Sequence, residues 1–155
     1  MTRAIGFTAC IFSIALSLAC STDPSDERPG FGLYGEVAQQ PVQDWSFTSD
    51  IKEIFIETAT SYSIPHSVTA WCVTIGDELY VAADDADKKS WVANVARDPN
   101  VRLKIGDKVY EQKLVPVTDA VTIAAIDRGF VRKYEYEEEA DDDMTVGYWH
   151  VVERD

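Results

Sequence analysis

From Trp45 onward the chain is built of short runs in which apolar and polar positions alternate. "VRLKI" (101–105) is the strictest, with Val101, Leu103 and Ile105 on one side and Arg102 and Lys104 on the other, the period of a half-buried strand. "DIKEIFIETAT" (50–60), "HSVTAWCVTI" (66–75), "ELYVAA" (78–83), "KVYEQKLVPV" (108–117) and "MTVGYWHVVE" (144–153) are rich in β-branched and aromatic residues. They predict five more strands. Gly76-Asp77 and Gly106-Asp107 join neighbouring runs as tight turns, and "SYSIP" ends another turn at Pro65.

Two segments change period. In "KKSWVANVAR" (88–97), Trp91, Val92, Val95 and Ala96 share one helical face, with Asp87 as the expected N-cap and Asp98-Pro99-Asn100 as the stop. "TDAVTIAAIDRGFVRKY" (118–134) predicts a second helix, capped by Thr118 or Asp119 and weakened by Gly129. The order is β-β-β-α-β-β-α-β. Six strands joined mostly by hairpins cannot hide both faces of a flat sheet of this size. A closed barrel removes the edges and needs only two helices as plugs.

The first 44 residues are different. "MTRAIGFTACIFSIALSLAC" places Arg3 before an apolar run from Ala4 to Ala19, the layout of a secretory signal peptide over residues 1–19. Leu16-Ser17-Leu18-Ala19-Cys20 resembles a bacterial lipobox, which implies lipidation of Cys20. Ser21 in the next position implies sorting to the outer membrane, with the domain facing the periplasm. Residues 20–44, with three prolines among Gly, Ser and charged residues, read as a flexible tether, and the folded domain is expected over 45–155.

Composition narrows the function classes. With 46% apolar and 26% charged residues the chain is globular in character. Its 27 acidic residues against 14 basic ones give a net charge of −13, which excludes a nucleic-acid binder that needs a basic face. Once Cys20 carries lipid, Cys72 has no partner inside the mature chain, and its apolar surroundings make it a packing residue. No CxxC, HExxH, Ser-His-Asp order or paired-carboxylate signature stands out. The acidic run 137–143 lacks the spacing and the central glycine of a calcium loop and reads as a solvated loop. His66 and His150, the only histidines, are the candidates for a haem ligand.

Lys88 and Lys89 raise the sharpest question. In the first turn of a helix two cations oppose the macrodipole. A bound phosphate would reverse the sign, since free N–H groups and two ammonium groups would face one anion. The alternative is two solvated lysines neutralising Asp84, Asp85 and Asp87. Composition leaves both open.

Three stretches carry a family resemblance: Pro65-His66-Ser67-Val68-Thr69-Ala70-Trp71; Leu79-Tyr80-Val81-Ala82-Ala83-Asp84 followed by Lys88-Lys89; and Asp98-Pro99-Asn100-Val101-Arg102-Leu103. In this order over residues 48 to 153 they resemble the split-barrel flavin-binding superfamily of pyridoxamine 5'-phosphate oxidase-like proteins and deazaflavin-dependent nitroreductases. The resemblance implies a mainly β fold, a six-stranded antiparallel split barrel with two helices, and a homodimer with the cofactor at its interface. It implies FMN, or another flavin or deazaflavin, bound by His66, Ser67, Val68, Thr69, Trp71, Ala82, Ala83, Asp84, Lys88, Lys89 and Trp91. Lys88 and Lys89 would take the phosphate; Trp91 reads first as a core residue and, by the resemblance, could also close over the ring. Activity, if present, would be that of a flavin-dependent oxidoreductase. Ala82 and Ala83 stand where relatives often carry hydrogen-bonding side chains, which points to the rival reading of a non-catalytic lipoprotein that kept the barrel and lost its cofactor. A haem-binding relative is the third.

Overall fold

The computed structural model describes residues 23–24, 30–39, 41–135 and 145–155. Its elements are β1 (Glu36–Val37), β2 (Glu53–Thr58), β3 (His66–Ile75), β4 (Glu78–Ala83), α1 (Ser90–Arg97), β5 (Asn100–Ile105), β6 (Lys108–Pro116), α2 (Ala120–Tyr134) and β7 (Gly147–Glu153). Signal peptide, Cys20 and the acidic run 137–143 lie outside the described residues.

Six of the strands close on themselves. The pairings β4–β3, β3–β2, β2–β5, β5–β6, β6–β7 and β7–β4 are all antiparallel and return to their start. The expected split barrel is the observed fold, with β1 added in parallel along β6 at Lys108 and Val109. The alternating positions face where their period requires. Ile54, Ile56 and Thr58 of β2 and Val101, Leu103 and Ile105 of β5 are buried, each separated by a more exposed neighbour. Gly76 and Gly106 take positive φ, 67° and 59°, in the two Gly-Asp turns, a conformation that costs glycine nothing.

Helix α1 plugs the barrel, whereas α2, expected as a second plug, packs against the outside of its wall. Trp91 and Val95 of α1 enter the barrel core beside Leu103 and Trp149. Ile126 and Phe130 of α2 form a second core with Val73 and Tyr80, outside the barrel wall. Asp119 is the cap of α2 and accepts the Thr122 N–H at 2.8 Å, so of the two expected caps the carboxylate is used. Gly129 lets α2 settle on β3: an added Cβ would lie 2.7 Å from Ile75 Cδ1 and 2.9 Å from Val73 Cγ2.

Two expectations need correction. Helix α1 begins at Ser90 and not at Lys88. Asp85 adopts a left-handed conformation (φ 49°) and a 3-10 turn occupies Ala86–Lys88, so Lys89 becomes the N-cap residue and Asp87 caps nothing. The stretch read as a tether is in part laid on the barrel. Leu33 is fully buried, its N–H donates to Glu57 Oε2 at 2.5 Å, Gly30 bridges Ser67, and Asp23 pairs with Lys104. Isolated anchors of this kind leave no periodicity for a pattern search to find.

Two buried tyrosines and one half-buried one set an alkaline limit. Burial raises the Tyr110 phenol, burial with the Glu78 carboxylate pushes Tyr80 up to about 12, and burial lifts Tyr134 well above its usual range. Each folded phenol holds its proton at a pH where the unfolded chain releases it, so stability is complete below about pH 10 and falls above it. Urea midpoints measured from pH 8 to 12 should be flat and then decline, and Tyr134→Phe should make the decline shallower. An unchanged slope in that variant would remove Tyr134 from the account.

Candidate functional site

Strand β3 changes partners along its length. It pairs with β2 from His66 to Trp71, but with β4 only from Cys72 onward, where Cys72 meets Val81 and Val73 meets Tyr80. The pairing of β4 with β3 ends at Val81, whereas its pairing with β7 runs from Tyr80 to Ala83, with Ala82 opposite Tyr148 and Ala83 opposite Gly147. The N-terminal half of β3 therefore borders the split. Ser67 uses that edge for both of its bonds to Gly30, at 2.9 and 3.1 Å. Peptide groups alternate in direction along a strand, so Thr69 points the same way as Ser67 and Val73. Thr69 lies between the Gly30 bridge and the β4 ladder and has no strand partner on that edge among the described residues.

The side chains repeat the pattern. His66 Nδ1, Ser67 Oγ and Thr69 Oγ1 are the buried side-chain polar atoms that lack a hydrogen-bond partner among the described residues. All three fall within four consecutive positions. An unpaired buried polar group costs about 1–3 kcal/mol, and native structures keep few of them without a reason. Ser67 and Thr69 stand on the outer face, opposite Glu57 and Phe55 of β2, and His66 stands on the other face opposite Thr58. The Glu57 carboxylate is already engaged by Arg102 at 2.9 Å and by Leu33 N–H.

The remaining expected residues do not converge on this edge. Val68 packs on the barrel core, Ala83 lies inside it, and Ala82 packs on the second cluster with Phe130 and Tyr148. Asp84 is exposed. Trp91 is a core residue, as its place on the apolar face of α1 favours, 5% exposed and tilted against Trp149 with centroids 5.0 Å apart. Lys88 and Lys89 are both exposed, and the Lys88 ammonium is held by Asp85 at 2.9 Å. That hydrogen bond and charge raise the Lys88 pKa. Trp71 is half exposed and stacks on Tyr134 at 4.5 Å and 12°.

The histidines stand on different strand pairs. His150 stacks on Tyr80 at 4.8 Å and lies 3.6 Å from Glu78. Cys72 is buried, donates to the Ile51 carbonyl at 3.3 Å, and burial pushes its thiol up while Lys133 opposes that shift. No cluster of three metal-ligating side chains occurs among the described residues, and no described helix is long and apolar enough to cross a membrane.

Sequence reading passed over the last turn of α2. Lys133 Nζ donates to the Thr48 carbonyl at 3.0 Å and to the Cys72 carbonyl at 2.8 Å. The Tyr134 hydroxyl accepts the Cys72 N–H at 3.0 Å and reaches the carbonyls of Cys72 (2.9 Å) and Lys52. The signal was present in "RKY" at a helix end, where cations suit the dipole, but nothing in the sequence showed what they bind.

Comparison with known families places this geometry. Residues 47–148 match the family described as "Uncharacterized protein conserved in bacteria (DUF2255)". The chain belongs to that family. No functionally curated protein matches it. Among solved structures the DUF2255 chain is similar to one described as a domain-swapped dimer, at 18% identity and TM-score 0.54, over 66% of this chain and 81% of that one. It is similar to a protein described as a candidate 5-nitroimidazole antibiotic resistance protein of Bacteroides thetaiotaomicron, at 16% identity and TM-score 0.56, covering 82% and 88%. It also resembles an F420-H2-dependent reductase, at 17% identity and TM-score 0.52, covering 77% and 99%. These neighbours are split-barrel proteins, and the DUF2255 domain shares their fold.

Proposed function

We propose that this DUF2255 protein binds a flavin or deazaflavin along the open edge of β3 and serves as an oxidoreductase-type domain. The observation that carries the reading is the pair of unpartnered hydroxyls Ser67 Oγ and Thr69 Oγ1 on the outer face of β3, together with the free edge at Thr69; the unpartnered His66 Nδ1 lies on the opposite face. These residues fit a polar ring system that offers both donors and acceptors. Lys89, with Lys88 if Asp85 releases it, would supply charge for a phosphate. When bound, the flavin supplies hydride or electron transfer. The chain contributes hydrogen bonds, orientation and exclusion of water. A likeness in fold to an F420-H2-dependent reductase supports the class, and FMN is the form the phosphate reading favours. The reading includes a homodimer, supported by the likeness to a domain-swapped dimer. It also includes export with a lipid on Cys20 at the outer membrane, supported by the lipobox-like sequence.

A second reading, a barrel without cofactor that serves as a contact module, is favoured by one observation: Lys88 already has an anionic partner in Asp85. Titration of the purified chain with FMN, riboflavin and F420, followed by quenching of ring fluorescence, separates the two. We expect saturable binding, weakened about tenfold by Thr69→Val through loss of one hydrogen bond. Stronger binding of FMN than of riboflavin, lost in Lys88→Ala/Lys89→Ala, would assign the phosphate to the lysines. Absence of quenching by all three overturns the flavin reading and leaves the contact module.

A further inference from the structure

On the outer face of β3, the stacked Trp71–Tyr134 pair stands between Thr69 and Val73, so Val73 and Ile75 begin a separate surface. There a cleft of about 380 Å³ opens between the last turns of α2 and the chain leading into β2. Its floor is Val73, Ile75 and the backbone at Gly129, and its rim includes Asp50, Lys52, Arg132 and Lys133. The volume lies within the range of small-molecule pockets, which combine an apolar lining with a few placed polar groups.

The charge balance of this rim is the reverse of the rest of the chain. The protein has 14 basic and 27 acidic residues, yet three cations and one carboxylate line this cleft. None of the three cations forms a salt bridge among the described residues. Complementing the α2 dipole accounts for Arg132 and Lys133 in part. It does not account for Lys52, which arrives from the start of β2. Nor does it place an apolar floor under them. Lys133 is fixed in position by the Thr48 and Cys72 carbonyls, and neither bond neutralises its charge. A positive field over an apolar floor selects ligands of opposite charge that carry an apolar body.

We propose that this cleft is a second binding site, for a small organic carboxylate with a flat or branched apolar body. Val73, Ile75 and Gly129 contact the body, and Arg132 and Lys52 meet the carboxylate, with the fixed charge of Lys133 behind them. The site stands apart from the β3 edge and does not depend on flavin.

Benzoate is the probe, with benzyl alcohol as its neutral counterpart, both titrated by calorimetry into the full chain without flavin. Amide shifts of Val73, Ile75 and Gly129 in a two-dimensional NMR spectrum report the place. We expect saturable benzoate binding that moves those three amides, at least tenfold weaker binding of benzyl alcohol, and at least a tenfold loss in Lys52→Gln/Arg132→Gln. Both replaced residues are exposed, so the variant keeps its fold, and an unchanged urea midpoint verifies it. Equal affinity for the two probes, undiminished binding in the variant, shifts confined to other residues, or no saturable binding each overturns the proposal. Because no flavin is added, failure here leaves the β3 reading untouched.

Discussion

Ile56→Ala is expected to destabilise the barrel by about 2–5 kcal/mol, a large share of the roughly 5–15 kcal/mol available to a domain. Ile56 is fully buried in the middle of β2, opposite Val68 on β3 and Leu103 on β5. Both neighbours are held in hydrogen-bonded ladders of a closed ring, so the walls cannot collapse into the space left by the missing carbons. A cavity therefore persists, and its cost adds to the lost transfer energy. The same truncation at Ile64, half exposed in the turn before β3, should stay within about 0.5 kcal/mol. Urea unfolding is the measurement: the midpoint should fall for Ile56→Ala at an unchanged slope. A loss below about 1 kcal/mol would mean that β2 does not occupy the centre of the core. The consequence reaches the candidate site, because Val68 lies between the unpartnered side chains of Ser67 and Thr69. Slack beneath it should also weaken any ligand held on that edge.

What the sequence displayed and what it withheld divide along a physical line. Alternation in Val101–Ile105 and the Gly-Asp turns at 76–77 and 106–107 are local, and the strands and hairpins they predict are the ones observed. Barrel closure was reachable because six strands with few helices have to hide their edges, although the β4–β7 and β6–β7 pairings could not be read residue by residue. Local competition decided the start of α1. The left-handed turn at Asp85 and the bond from Lys88 to Asp85 consume the residues that a helical count assigns to a first turn. Leu33 was hidden because one apolar residue among prolines and glycines has no period, yet it is fully buried on the barrel. For the site, the family resemblance pointed to His66, Ser67 and Thr69. That their polar atoms are buried and unpaired depends on where β4 leaves β3, which no single strand encodes. Trp91, read first as a packing residue from its helical face, is claimed by Trp149 and the core.

Lys133→Met combined with Tyr134→Phe is expected to cost about 3–5 kcal/mol, more than the sum of the single changes, each about 1–2 kcal/mol. The reason lies in shared partners. The Cys72 carbonyl is bonded by Lys133 and lies within reach of the Tyr134 hydroxyl, whose single proton the Lys52 carbonyl also attracts; when Lys133 is lost that proton can turn to Cys72. The Thr48 carbonyl keeps the Ile51 N–H when Lys133 is lost. Removing both side-chain donors leaves the N–H and C=O of Cys72 and the Lys52 carbonyl to find other partners at once, at a place where β3 is not covered by the β2 ladder. Methionine keeps the apolar stem of lysine and phenylalanine keeps the ring against Trp71, so the loss reads polar pairing more than packing. A double-mutant cycle in urea measures it: a coupling of at least about 1 kcal/mol is expected, whereas strict additivity would mean that the two side chains secure the helix end independently. The same residues border both proposed sites, with Tyr134 under Trp71 on one side and Lys133 on the rim of the cleft on the other. Loosening this turn should therefore weaken benzoate in the cleft and raise the mobility of Trp71. It leaves the row from His66 to Thr69, whose register is set by β2, in place.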